Sequence, residues 1–137
     1  MHTRSPLKNE RGQTMVEFSL ILPFLAVLLL GIVQFGVVFN HYLTLTDAVR
    51  AGARRGAVAR FDPPAQRSAI IEAKVRQAAA DLNTSKPGPL NVVVTEPATW
   101  QTGADLKVRA TYEYKLKILG FVVKSGNLES ETTERVE

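Results

Sequence analysis

The sequence predicts an α+β protein with a long N-terminal transmembrane helix, a short second helix and a small antiparallel sheet of three or four strands. Three observations lead to this prediction. Residues 18–39 form an uncharged apolar run. Residues 71–82 repeat apolar side chains at helical spacing, and residues 106–118 alternate apolar with charged or polar side chains.

The apolar run from Phe18 to Phe39 is long enough to cross a membrane as a helix. A bilayer core about 30 Å thick needs about 20 apolar residues in a helix. A buried helix of a soluble domain would instead show a polar face at helical spacing. Apart from Ser19 and Gln34, the run offers no polar side chain for such a face. A membrane span is therefore the favoured interpretation.

Three residues inside the run bear on how its helix is shaped and packed. Pro23 removes one backbone hydrogen bond and is expected to kink the helix near its N-terminal end. Gly31 and Gly36 could allow close packing of neighbouring helices. Their spacing is not that of the GxxxG motif, so their support for such packing is weak.

The polar, basic segment that precedes the run resembles the first region of a secretory signal. A cleaved signal has a shorter apolar core with a small-x-small site close behind it, and here the sequence Ala57-Val58-Ala59 comes too late. Ordinary signal-peptidase cleavage is therefore not expected. Basic residues flank the span equally and do not set its orientation. The long C-terminal part, which translocates largely regardless of charge, favours a cytoplasmic N-terminus.

The helix is expected to continue beyond the span to residue 60, because residues 40–60 contain no proline. Ala48, Gly52 and Gly56 recur at four-residue spacing and form one narrow stripe on such a helix. Small side chains in a stripe suit close approach by another helix or by a sheet. Each glycine weakens an isolated helix by about 1 kcal/mol, which suggests that packing compensates.

A second helix is expected after Asp62-Pro63-Pro64, with Asp62 as its cap and Pro63 at its first position. One apolar face of this helix is predicted to consist of Ile71, Val75, Ala78, Ala79 and Leu82. Residues 83–89 are rich in proline, glycine and polar residues and predict a loop.

The remainder of the chain predicts strands. Residues 91–95 form a short β-branched strand, and residues 106–118 a long half-buried one. Turns are expected at Gly120 and at Gly126-Asn127, with a last strand over residues 128–136. Glu129 and Glu131 of that strand are expected to oppose Lys115 or Lys117 across a hairpin.

Composition and motifs argue against catalysis, cofactors and nucleic-acid binding. The net charge is +4, but arginines follow the span directly, as in a headgroup-facing collar or a solvated helix face. The chain has no cysteine, and His2 and His41 lie on opposite sides of the span, so no metal site or other cofactor is expected. No nucleophile, phosphate-binding or metal motif is present, so no catalytic residue is assigned. Trp100 is expected to anchor domain packing.

One charged residue, Glu17, lies at the edge of the apolar run. A carboxylate is costly to draw into hydrocarbon, so it either stays at the interface as a boundary residue or meets a partner cation. Gly12 lies five residues earlier, directly after the basic segment. This arrangement favours a functional role for the glutamate.

Residues 12–18, GQTMVEF, resemble the processing site of type IV prepilins. In that family a membrane prepilin peptidase cuts after the glycine on the cytoplasmic side, and glutamate is the fifth mature residue. The resemblance implies a cut between Gly12 and Gln13, which leaves Glu17 at position five. It also implies that Glu17 of one subunit neutralises the new terminal amine of the next in a helix bundle.

A longer set of segments, RGQTMVEFSLILP, GIVQFG and DAVRAGAR, resembles the TadE-like family of tight-adherence (Tad/Flp) pilus systems. The resemblance is specific over residues 11–59, and the closing TTERVE is similar to that family's C-terminal strand. Members are minor pilins or pseudopilins needed to assemble an adhesion pilus. The implied partners are the major Flp-type pilin, TadF-like and TadG-like minor pilins, the prepilin peptidase and the inner-membrane assembly platform with its ATPase.

These inferences divide the chain into a cytoplasmic prepilin-like leader (1–12), a long N-terminal helix (13–60) with its span at 18–39, and an extracytoplasmic α+β domain (61–137). The expected function is that of a minor pilin or pseudopilin in assembly of a Tad-type adhesion pilus or a related secretion apparatus. Its expected location is the inner membrane, with a single span, or a surface pilus. The alternative is a membrane-tethered binding module whose soluble domain recognises a ligand or envelope partner.

Overall fold

Two helices and a three-stranded antiparallel sheet form the structure, which confirms the predicted α+β fold. It is a computed structural model that describes residues 7–82, 89–118 and 121–137, with side chains for 12–82, 89–116 and 121–137. The elements are α1 (Leu7–Ala57), α2 (Arg67–Ala78), β1 (Leu90–Thr95), β2 (Asp105–Ile118) and β3 (Phe121–Arg135). The predicted turn at Gly120 and most of the loop over residues 83–89 lie outside the described residues.

Helix α1 has two halves with different surroundings. From Met15 to Phe39 its large apolar side chains are exposed except for the half-buried Val38, and the helix is continuous through Pro23. In its C-terminal half, Leu45 and Val49 are fully buried. The exposed half is long and apolar enough to cross a membrane once. The two halves therefore suit two environments, hydrocarbon and the interior of a folded domain.

The core lies between the C-terminal half of α1, helix α2 and one face of the sheet. Strand β2 is central and pairs antiparallel with β1 and β3. The predicted alternation along β2 is confirmed, because four successive inward positions are buried: Leu106, Val108, Ala110 and Tyr112. Charged residues such as Lys107 and Arg109 alternate with them on the outer face.

The connection between the helices differs from the prediction. After α1 the chain forms 3-10 turns at Ala59–Phe61 and Pro64–Gln66, and α2 begins only at Arg67. Pro63 is extended (φ −57°, ψ 128°), as expected for a residue that precedes another proline. Asp62 does not cap α2, and its carboxylate instead forms an ion pair with Arg55 (2.7 Å).

The apolar face predicted for α2 is mostly buried. Ile71, Val75, Ala79 and Leu82 are buried, whereas Ala78 is exposed. The helix ends at Ala78, so Ala79 and Leu82 reach the core from the turn that follows.

The predictions for the last strand were wrong in two respects. Gly126 and Asn127 form no turn, because β3 is one strand from Phe121 to Arg135. The ring of Tyr114 fills the space beside Gly126 that a side chain would take. Its Cε1 lies 3.1 Å from the position of a Cβ at Gly126. This glycine therefore serves a close cross-strand approach and not a reversal of the chain.

The register between β2 and β3 also differs from the prediction. Glu129 lies opposite Thr111 and Glu131 opposite Arg109. The predicted pairing of these glutamates with Lys115 or Lys117 is therefore wrong. Both carboxylates bind Arg109, at 3.3 Å from Glu129 and 2.6 Å from Glu131. The hydrogen bond to Glu131 and the negative charge of both groups raise the pKa of the Arg109 guanidinium.

Arg67 holds the connection between the helices in place. Its Nε donates to the carbonyl oxygens of Ala59 (3.0 Å) and Asp62 (3.2 Å), and its Nη2 donates to that of Arg60 (2.9 Å). Its guanidinium also lies 4.8 Å from the centre of the Trp100 ring, which packs against the core as expected of an anchor. One side chain thus donates to three carbonyls of the irregular turns, one of which, that of Ala59, also accepts the backbone N–H of Asp62 (3.0 Å).

Replacing Arg67 by lysine is expected to destabilise the domain by about 1–3 kcal/mol, because a lysine ammonium cannot reproduce the planar set of donors. The measurement is the midpoint of urea unfolding of the full chain in detergent. Unfolding is monitored by the fluorescence of Trp100, the one tryptophan of the chain. Arg50→Lys is the matched control, since Arg50 is exposed and its ion pair with Asp47 is long (3.7 Å). An unchanged midpoint for Arg67→Lys would contradict the role given to this side chain.

Candidate functional site

The residues of the predicted processing and assembly site lie on exposed turns of α1. Gly12 and Gln13 are within the helix, and no side chain or backbone atom approaches the position of a Gly12 Cβ within 4 Å. Gln13 Nε2 donates to Glu17 Oε1 at 3.1 Å. The helix therefore brings Gln13 and Glu17 together, one turn apart, and leaves both accessible.

Glu17 is surrounded by apolar side chains that the chain itself does not cover. Met15, Val16 and Phe18 are all exposed. A carboxylate at this position lies at the boundary between the polar start of the helix and its apolar half. Its hydrogen-bond partner among the described side chains is the amide of Gln13, which is neutral.

Pro23, Gly31 and Gly36 lie along the exposed apolar half of α1. Pro23 has no N–H to donate to the carbonyl of Ser19, and the Ser19 hydroxyl donates to the carbonyl of Met15 at 2.5 Å. At Gly31 and Gly36 the space that a Cβ would fill is open. The described chain leaves the space at the two glycines open, so any packing there involves lipid or another molecule.

Ala48, Gly52 and Gly56 are buried inside the domain. A Cβ on Gly52 would lie 2.3 Å from Cγ2 of Val75 in α2. A Cβ on Gly56 would lie 2.1 Å from Cδ2 of Leu106 in β2. The structure thus separates the predicted packing residues into two groups, one facing outward from the apolar half and one closing the core.

The arginines that follow the span are partly engaged by groups of the same chain. Arg55 pairs with Asp62 at 2.7 Å, and Arg60 Nη1 donates to Thr102 Oγ1 at 2.6 Å. The Arg60 guanidinium also stacks on Phe61 at 4.6 Å from its ring centre. These contacts assign structural roles to Arg55 and Arg60 and reduce the cationic surface available to a partner.

Two features escaped the reading of the sequence. Arg67 and its carbonyl partners could be found only from the fold, because nothing in residues 59–67 signals two successive 3-10 turns. The start of β3 carries exposed apolar side chains, Phe121, Val122 and Val123. The sequence did contain a signal for this second feature, namely three consecutive apolar residues. It was not used because turns were predicted on both sides of them.

The model of the family described as TadE-like protein matches residues 12–54, which is less than half of the chain. This match confirms the resemblance drawn from the sequence over that segment. It begins at Gly12 and includes Glu17, the exposed apolar half of α1 and part of its buried half. The TadE-like pilin family is structural and not enzymatic. Comparisons with curated proteins and with solved structures gave no significant match.

Proposed function

We propose that this chain, whose residues 12–54 match the TadE-like family, is a minor pilin or pseudopilin that takes part in assembling a Tad-type adhesion pilus or a related secretion apparatus. The observation that carries the proposal is the coincidence of that match with an exposed apolar helix fused to a small α+β domain. Such a helix can reside in a membrane and can also pack among copies of itself. The proposed role is structural and involves no catalysis.

Processing after Gly12 is part of the proposal. The bond between Gly12 and Gln13 lies within α1, so a peptidase must unwind the helix locally to reach it. Glycine favours that step, because it stabilises a helix less than alanine by about 1 kcal/mol. The absence of a side chain also leaves the backbone unhindered, in agreement with the open space around Gly12.

Cleavage would create a cation close to the carboxylate of Glu17. The new amine would belong to Gln13, whose side chain already contacts Glu17. In a bundle of helices, the amine of one subunit and Glu17 of the next can pair in a medium of low dielectric. Such a pair fixes the axial position of neighbouring helices, because an unpaired charge in that environment is costly.

The proposed partners follow from the family and from the exposed half of α1. The apolar half, with Gly31 and Gly36 open on its surface, would pack against the major Flp-type pilin and the TadF-like and TadG-like minor pilins. The prepilin peptidase and the inner-membrane assembly platform would act on the same segment. The proposed location is the inner membrane, with the N-terminus cytoplasmic and the domain outside, and from there a surface pilus.

Deletion of the gene tests the assembly role. We expect surface filaments to be lost, counted by electron microscopy and by immunoblotting of the sheared fraction, and to return when the intact gene is supplied on a plasmid. Wild-type filaments in the deletion strain would contradict the role and favour a tethered binding module instead.

N-terminal sequencing of the protein from native membranes tests processing separately. The expected first residue is Gln13, and Gly12→Leu is expected to block cleavage, because a large side chain obstructs the peptidase. Gly31→Leu is the matched control and should be processed normally. A mature protein that starts at Met1 or His2 would contradict cleavage after Gly12.

A further inference from the structure

The hairpin of β2 and β3 ends in apolar side chains that the folded domain does not cover. Phe121, Val122 and Val123 are 78%, 55% and 61% exposed. They begin β3, where Phe121 pairs with Ile118 of β2. A contiguous exposed group of this kind indicates contact with an apolar partner.

Strand β2 runs antiparallel to α1 and carries this end of the hairpin toward the apolar half of the helix. Leu106, at the start of β2, packs against Gly56 near the end of α1. Tyr112 meets the ring of His41 edge-on, with 5.6 Å between ring centres. The first contact is about 20 Å from the second along the strand and about 22 Å along the helix. The two lengths agree because strand and helix axes are nearly aligned.

The hairpin continues beyond the contact with His41. Ile118 and its partner Phe121 lie about 20 Å past Tyr112 along the strands. Along α1, His41 lies only about 3 Å past Phe39, where the apolar run ends. The direction set by the two contacts therefore places the hairpin end alongside the apolar half of α1 and away from the domain core.

The side chains around this end suit the surface of a membrane. On β2 the basic residues nearest to the apolar group are Lys117, paired with Val122, and then Lys115, and on β3 the nearest is Lys124. Lys115 and Lys124 are exposed. Lysine can bury its methylene stem and keep its ammonium among headgroups. Tyrosine is enriched at the same level of a bilayer. Tyr42, which is exposed, and Tyr114, which is half-buried, lie close to the level of His41, whereas Tyr112 at the same level belongs to the core.

We propose that Phe121, Val122 and Val123 insert into the leaflet on the domain side of the membrane that α1 crosses, with Lys115 and Lys124 at the headgroups. The partner is lipid, because the hairpin end is level with the part of α1 that itself requires hydrocarbon. The chain then has two membrane contacts, a helix that crosses and a hairpin that dips in. This inference rests on the membrane span of the proposed function and is independent of the filament role.

Single cysteines provide the test, since the sequence contains none. Phe121→Cys is labelled with an environment-sensitive fluorophore in the full chain and reconstituted in phosphatidylethanolamine–phosphatidylglycerol vesicles. Quenching is measured with lipids that carry a nitroxide near the headgroup end of the acyl chain, and with iodide in the water. Phe35→Cys, in the apolar half of α1, is the membrane control. Phe61→Cys, 76% exposed beyond the end of α1, is the aqueous control.

The label at position 121 is expected to be quenched by the nitroxide lipid nearly as strongly as that at 35, and several-fold more than that at 61. Iodide quenching at 121 equal to that at 61 overturns the proposal. Protection from both quenchers that grows with the protein-to-lipid ratio indicates a second copy as the partner, and overturns it as well.

Absence of lipid quenching at 35 would refute the span on which the proposal rests, and would be distinguishable from failure of the hairpin contact alone. Circular dichroism verifies the fold of each variant. Val122→Cys provides a second reporter of the same group and is expected to give the same result. None of these readouts depends on whether filaments form.

Discussion

Replacing Glu17 by glutamine is expected to leave the protein in the membrane and to abolish filament assembly. The substitution keeps the shape of the side chain and its hydrogen bond with Gln13 but removes the negative charge. Leaving one member of a buried ion pair without its partner costs about 3–5 kcal/mol, which weakens association of subunits by about a hundredfold or more. Insertion depends on the apolar run, which the variant retains.

The measurement compares the sheared filament fraction with the amount of protein in isolated membranes. Asp81→Asn is the matched control, because it also neutralises one carboxylate but lies on the exposed turn after α2. Glu17→Asp keeps the charge on a shorter side chain and should retain part of the activity. Normal filament yield in Glu17→Gln, at an unchanged membrane level, would refute the proposed pairing.

Replacing Gly52 by alanine is expected to destabilise the domain, although the same change in an exposed helix is stabilising by about 1 kcal/mol. The new Cβ would meet Cγ2 of Val75 at 2.3 Å. Valine in a helix has essentially one χ1 rotamer, so Val75 cannot turn aside and α2 must shift. Overpacking of this kind costs about 1–3 kcal/mol, which exceeds the gain in helix propensity. The urea midpoint reported by Trp100 fluorescence measures the balance.

A double-mutant cycle identifies the cause of that loss. In a Val75→Ala background the obstructing methyl is gone, so Gly52→Ala should become neutral or stabilising. Gly36→Ala is the control in the apolar half, where a Cβ meets nothing within 4 Å, and should leave the midpoint of the domain unchanged. Equal effects of Gly52→Ala in the two backgrounds would exclude the contact with Val75 as the reason.

The sequence was most informative where a feature depends on the composition or period of one segment. The absence of charge over residues 18–39 suffices to predict a span. The period of two along β2 suffices to predict which side chains face the core. The proposal for Gly12 and Glu17 rests on the same kind of information, because the two residues are related by a short spacing along the chain.

The sequence was least informative where a residue's role is set by a distant partner. Gly126 and Asn127 form a residue pair that is typical of turns. Only the ring of Tyr114 on the neighbouring strand explains why Gly126 lies within β3. Arg67 binds carbonyls of preceding turns and stacks on Trp100, which comes much later in the chain. The direction of the β2–β3 hairpin likewise emerges only from the contacts of β2 with α1.

The unbroken course of α1 from its exposed half into the domain core has a mechanical consequence. Without a hinge between the two halves, the domain turns whenever the helix turns about its own axis, and rises whenever the helix rises. Adding one residue near the end of the apolar run would rotate the domain by about 100° and shift it by about 1.5 Å along the helix axis, relative to the apolar half of α1. The orientation of α1 about its own axis among neighbouring helices therefore determines which side of the sheet faces outward.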